Sequence, residues 1–123
     1  MDLSKYTGSV PNGDHPARIT AVTAEKAKDG TNYNLVFNAD LIDCDVKNRM
    51  FRRSLKESAL PILRDDLQAA EVLREGDAYP TDPHALAEEI AADLSDRTVT
   101  LRYKDGKNGY QDIRIVGLSL EAA

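Results

Sequence analysis

From Tyr33 to Leu41 the chain alternates. Tyr33, Leu35, Phe37, Ala39 and Leu41 share one parity, and Asn34, Asn38 and Asp40 share the other. Successive side chains on a strand point to opposite faces, so the segment reads as a half-buried β-strand whose apolar face must be covered by the rest of the chain. Four further segments have the same character. Ala17 to Ala24 is rich in β-branched residues, with Ala17, Ile19 and Ala21 predicted on one side and Arg18, Thr20 and Val22 on the other. Arg49 to Leu55 reads as a third strand, with Phe51 and Leu55 inward and a strongly basic solvent side. Thr98 to Lys104 and Tyr110 to Val116 form a hairpin across the glycine-bracketed turn Asp105-Gly106-Lys107-Asn108-Gly109. Asp29-Gly30 marks the tight turn between the first two strands.

Between the third and fourth strands the period changes. Leu60, Leu63, Leu67 and Ala70 recur at helical spacing, which predicts a helix of about 12 to 15 residues with Ser58 as a candidate N-cap, Pro61 in its first turn, and Gly76 and Pro80 ending it. A second helix opens at Asp82-Pro83, the cap and first-turn pair such a helix favours, and carries Leu86, Ile90 and Leu94 as an apolar stripe. Met1 to Asp14 reads as an N-terminal extension, with Gly8, Pro11, Asn12 and Gly13 as turn formers. The expectation is one mainly β domain over residues 1–123. Its five strands are interrupted between the third and fourth by an acidic helical insertion, residues 57–96. That order is the order of an OB-fold-like five-stranded barrel. A β-sandwich fragment and an α+β open sheet share the same element list.

Charge is segregated along the same boundaries. Residues 1–56 carry a net +2, residues 57–96 a net −9 and residues 97–123 a net +2, within an overall −5. The helical block holds the acid, and the strands are cationic. Field at a binding face is local, screened over about 8 Å at physiological salt, so the overall sign does not exclude a polyanion. Cys44 is the only cysteine, which excludes an internal disulfide and a multi-cysteine zinc site. No apolar run approaches the ~20 residues of a membrane helix, and Met1 to Tyr6 has no apolar leader core, so the expected compartment is the cytoplasm.

The catalytic inventory is thin. His15 and His84 have no Ser or Cys nucleophile in a recognisable motif, and Asp82, His84, Glu88 and Glu89 sit on one helix without a second histidine to complete a metal site. No phosphate-cradling loop occurs. No catalytic residue, metal or cofactor is therefore expected, and a binding surface remains. In the OB arrangement that surface lies around strands two and three, framed by the loops joining strands one to two and four to five. Lys26 and Lys28 fall in the first loop, Arg49, Arg52 and Arg53 on strand three, and Arg102, Lys104, Lys107 and Tyr110 on the last hairpin. Each has a bland alternative as a solvated charge. Tyr33, Phe37, Phe51 and Tyr103 read as core, whereas Tyr110 shares parity with Asp112 and Arg114 and suits either an exposed or a buried place.

The ends of the chain resemble a family. Met1-Asp2-Leu3-Ser4-Lys5-Tyr6, Val10-Pro11-Asn12-Gly13-Asp14, Arg18-Ile19-Thr20, Arg97-Thr98-Val99 and Tyr110-Gln111-Asp112-Ile113-Arg114-Ile115-Val116 are similar to segments of small phage and prophage proteins that resemble single-stranded-DNA-binding proteins. The chain departs from that pattern at His15-Pro16 and at Asp96. The resemblance implies an OB-type barrel, single-stranded DNA as ligand, a role in replication or recombination, and no catalytic residues to carry over. Two readings follow. In the first, Arg49, Arg52, Arg53, Arg102, Lys104 and Lys107 contact phosphates, Lys26 and Lys28 close one side and Tyr110 stacks on a base, in a protein expected to be a homo-oligomer. In the second, the acidic helices bind a replication or recombination protein, or inhibit one, and the strands are scaffold.

Overall fold

A computed structural model describes residues 10–43, 47–76, 78–106 and 111–119. Five strands, β1 (Gly13–Lys26), β2 (Tyr33–Leu41), β3 (Arg49–Ser54), β4 (Thr98–Asp105) and β5 (Gln111–Leu118), make one antiparallel sheet in the order β3-β2-β1-β4-β5. Two helices, α1 (Leu60–Ala69) and α2 (Pro83–Leu94), lie between β3 and β4 in the chain. The mainly β composition and the place of the helices agree with the alternation and the change of period.

β1 organises the sheet because it is long enough to serve two neighbours. Gly13 to Arg18 pair with β4, and Ala17 to Lys26 pair with β2. The first residues of the strand, Gly13 and Asp14, were expected in the N-terminal extension. Instead they pair with Tyr103 and Arg102, and Gly13 takes a φ of 123° that a side chain would resist. Pro16 lies just past the end of the β1–β2 ladder, where its carbonyl still accepts the Ile42 N–H at 2.9 Å and the missing N–H is tolerated. The register then shifts between Ile19 and Ala21. One extra residue reverses the parity, so Val22 is buried and Ala21 only half-buried, the opposite of uninterrupted alternation. β2 has no such shift against β3, and Leu35, Phe37, Ala39 and Leu41 are buried as their parity requires.

α2 packs across β1 and β2, burying Ala87, Ile90 and Leu94, and α1 packs on β5 and β3, burying Leu63 and Leu67. Asp82 caps α2 by accepting from the Ala85 N–H at 2.9 Å. α1 differs from its expected form at both ends. Ser58 does not cap it, because Glu57–Ala59 form a 3₁₀ turn and the N-cap position belongs to Ala59. The helix also stops before Gly76. Glu71 adopts a left-handed φ of 60°, its N–H donates to the Gln68 carbonyl and the Val72 N–H donates to that of Leu67, each at 3.0 Å. Those two bonds are a Schellman stop, and a glutamate occupies the position glycine usually fills.

Among the described residues no ladder joins β3 to β5. The two edges nevertheless face each other across a cleft bridged by side chains. Arg53 on β3 donates to the Ile113 carbonyl on β5 and to the Asp66 carboxylate on α1, while Asp66 accepts the Ile115 N–H at 3.1 Å. Both side chains are buried. This clasp satisfies edge groups of β5 that a neighbouring strand would otherwise pair.

Candidate nucleic-acid interface

The β1–β2 loop is a built turn. The Asp29 carboxylate accepts from the backbone N–H groups of Thr31 and Asn32 and from the Asn32 side-chain amide, and Gly30 takes a φ of 75°. The Asn32 side-chain amide, those backbone donors and the nearby Lys56 ammonium hold the Asp29 carboxyl well below the usual carboxylate range. Lys26 and Lys28 flank this turn, both exposed, and neither makes an ion pair among the described residues. Lys26 stands opposite Tyr33 in the ladder, the Leu55 N–H donates to the Tyr33 carbonyl, and Lys56 lies 3.6 Å from Asp29. The end of β3 therefore meets the loop. Arg52 reaches across β2 to Glu25, 2.6 Å away, next to Lys26 in the chain. Lys26, Lys28, Arg52 and Lys56 form one cationic group at this end.

A second group lies on β4 and β5. Arg102 and Arg114 are directly opposite each other, and Lys104 is opposite Asp112. Acids partly answer these charges. Arg102 is held by Asp14 through two hydrogen bonds at 2.8 and 3.1 Å, and Arg114 lies 3.3 Å from Asp112. The hydrogen bond from Arg102 lowers the Asp14 pKa and, reciprocally, raises that of the guanidinium. Exposed pairs of this kind are screened by solvent and can be exchanged for a phosphate oxygen at little cost.

Between the two groups runs the β3–β5 cleft, about 330 Å³, lined by Met50, Phe51, Arg52, Arg53, Gln111, Asp112 and Ile113. Met50 is half exposed at 53%. Arg49 crosses the cleft, its Nη2 donating to the Gln111 Oε1 at 3.5 Å, while its Nε is buried without a partner among the described residues.

Three arginines on β3 were expected to share its solvent side. Only Arg52 is exposed there; Arg49 is half-buried and Arg53 is buried at 9% on Asp66 and Ile113, its guanidinium 4.8 Å from the Phe51 ring centroid. Parity explains the correction: Arg49 and Arg53 lie in step with the inward Phe51. Lys104 and Arg102 are exposed as placed. Lys107 and Tyr110, like Cys44, lie outside the described residues. Arg18, Arg114, Lys56 and Met50 are exposed residues that had not been singled out; alternation against Ile19, Ile113 and Phe51 was the signal for the two arginines and Met50, and the β1–β2 loop contact for Lys56. Among the described residues no Phe or Tyr side chain is exposed. Phe37 and Phe51 stack on each other in the core at 5.0 Å, Tyr103 is buried, and half-buried Tyr33 meets the edge of His84 at 5.7 Å.

His15 is clamped. Nδ1 lies 2.8 Å from the Asp43 carboxylate and Nε2 2.7 Å from the Pro11 carbonyl, two acceptors that only an imidazolium satisfies together. Among the described residues no three His, Cys, Asp or Glu side chains converge to hold a metal ion, and no helix is long and apolar enough to cross a membrane. In comparisons with known proteins, no family model and no curated protein matches the chain.

Proposed function

We propose that the chain is an OB-type barrel that binds single-stranded DNA across the β3–β5 cleft. The reading rests on one observation above the others: a cleft between the two edge strands with a cationic group on each side, one built on the β1–β2 loop and one on the β4–β5 pair. The strand order, with helices between the third and fourth strands, is compatible with the OB arrangement, which binds oligonucleotides around strands two and three. Phosphates would pass from Lys26, Lys28 and Lys56 over Arg52 to Lys104 and Arg114. Met50 supplies the apolar surface on which a base lies, since thioethers pack favourably on aromatic rings. Such a site reads backbone and π-face rather than sequence.

Charge reversal at each group tests the path. Lys26→Glu with Lys28→Glu, and separately Lys104→Glu with Arg114→Glu, should each weaken binding of labelled oligo-dT by about tenfold or more at about 50 mM salt. Glu71→Lys with Glu88→Lys, on the helical block, should leave it unchanged or tighter. Equal affinity in all three variants would remove the proposed path.

A further inference from the structure

A groove roomier than the β3–β5 cleft lies elsewhere, between α1, α2 and the segment joining them. It is about 680 Å³ and is floored by Leu60, Leu63, Leu67, Leu73, Leu86 and Ile90. Leu60 and Leu73 are 40% and 37% exposed, and Ile62 beside them 39%, so the apolar surface reaches the rim. The groove is preformed. Arg74 reaches from the joining segment to Glu89 at 2.5 Å and to Asp93 at 2.9 Å, its backbone N–H donates to the Tyr79 hydroxyl at 2.9 Å, and that hydroxyl donates to the Val72 carbonyl at 3.1 Å.

The charge around it selects the occupant. Arg74 is consumed by its two carboxylates, and the only other cation of the helical block, Arg64, has Asp65 at 3.9 Å. Arg64 and Glu75 stand in the wall, and Asp65, Glu71 and Glu88 are exposed on the same block, which carries a net −9. That net charge disfavours a polyanion. We infer that this groove docks a basic amphipathic helix of a protein partner, with apolar anchors at i, i+3 or i+4, and i+7 seated on the leucine floor and lysines or arginines facing the acidic rim. The cleft would hold nucleic acid while the opposite sign of the helical block recruits protein.

A fluorescein-labelled 16-residue peptide with leucine at those spacings and lysine elsewhere is the probe, alongside the same peptide with glutamate for lysine and one with the leucines scrambled out of helical register. The lysine peptide should bind with a Kd on the order of 10 μM at about 50 mM salt, at least tenfold tighter than either control. Leu73→Lys and Leu60→Lys, both at the exposed rim, should each weaken it about tenfold with unchanged melting temperature. Oligo-dT binding by these variants should be unaltered, which separates this docking from the DNA reading. No binding at about 100 μM peptide, equal binding of the three peptides, or indifference to both substitutions would overturn the inference. So would light scattering that finds a dimer dissociated by Leu73→Lys, because the groove would then hold a second copy of the chain.

Discussion

At the scale of single residues, a buried arginine and a buried aspartate do what a missing strand ladder would do. Asp66 sits at 63-66-67-70 spacing within the apolar stripe of α1, and Arg53 sits in step with the inward Phe51. Two charges in core positions, one of each sign, were legible as a pair. The general preference of charged side chains for the surface hid them. Because truncating one partner strands the other charge, Asp66→Ala should lower unfolding free energy by about 3–5 kcal/mol, read by urea denaturation. A joint Arg53→Met, Asp66→Leu replacement should recover much of the loss; failure of both effects would show that the clasp does not hold the edges. His15 makes a second prediction. Burial pushes its pKa down, but the Pro11 carbonyl and the Asp43 carboxylate, with Asp14 nearby, push it up by more, so the net shift is upward. A group raised on folding stabilises fully below its unfolded pKa of about 6.5 and loses that contribution as pH rises through the folded value. Melting temperature should therefore fall as pH rises above about 6.5, and His15→Gln should flatten that part of the profile. A profile identical in the variant would contradict the clamp.

At the scale of elements, the legible parts are those where one local rule operates alone. β2 pairs with β3 without a register shift from Asn34 to Ala39, and α2 opens on Asp82-Pro83, so alternation and cap chemistry place both. β1 and α1 escaped for specific reasons. A bulge between Ile19 and Ala21 is set by how a long central strand bends between two neighbours, which no local pattern records. The end of α1 at Glu71 is a tertiary choice, since Val72 leaves the helix to pack on the core, and a glutamate at a left-handed position carries no glycine signal. That geometry is strained by about 1 kcal/mol, so Glu71→Gly should raise unfolding free energy by about that amount. Destabilisation instead would mean that the glutamate side chain contributes more than its backbone costs. The candidate site was half legible: loops and signs of charge come from turn and strand patterns, but which cations face outward depends on parity and on partners such as Asp14 and Glu25 that lie far away in sequence.

At the scale of the whole molecule, segregation of charge becomes segregation of surface. The strands present two cationic groups on either side of the β3–β5 cleft, and the −9 belongs to residues 57–96, whose α2 packs on β1 and β2 and whose α1 packs on β5 and β3. An acidic chain can thus carry a face for a polyanion, because the Debye length of about 8 Å isolates one surface from another. Binding of labelled oligo-dT by fluorescence anisotropy, followed from about 50 to about 200 mM salt, tests this most directly. With six phosphates neutralised at about 0.7 each, log Kd should rise against log salt with a slope of about 4. Absence of saturable binding at tens of micromolar protein in about 50 mM salt, or affinity indifferent to salt, would contradict it.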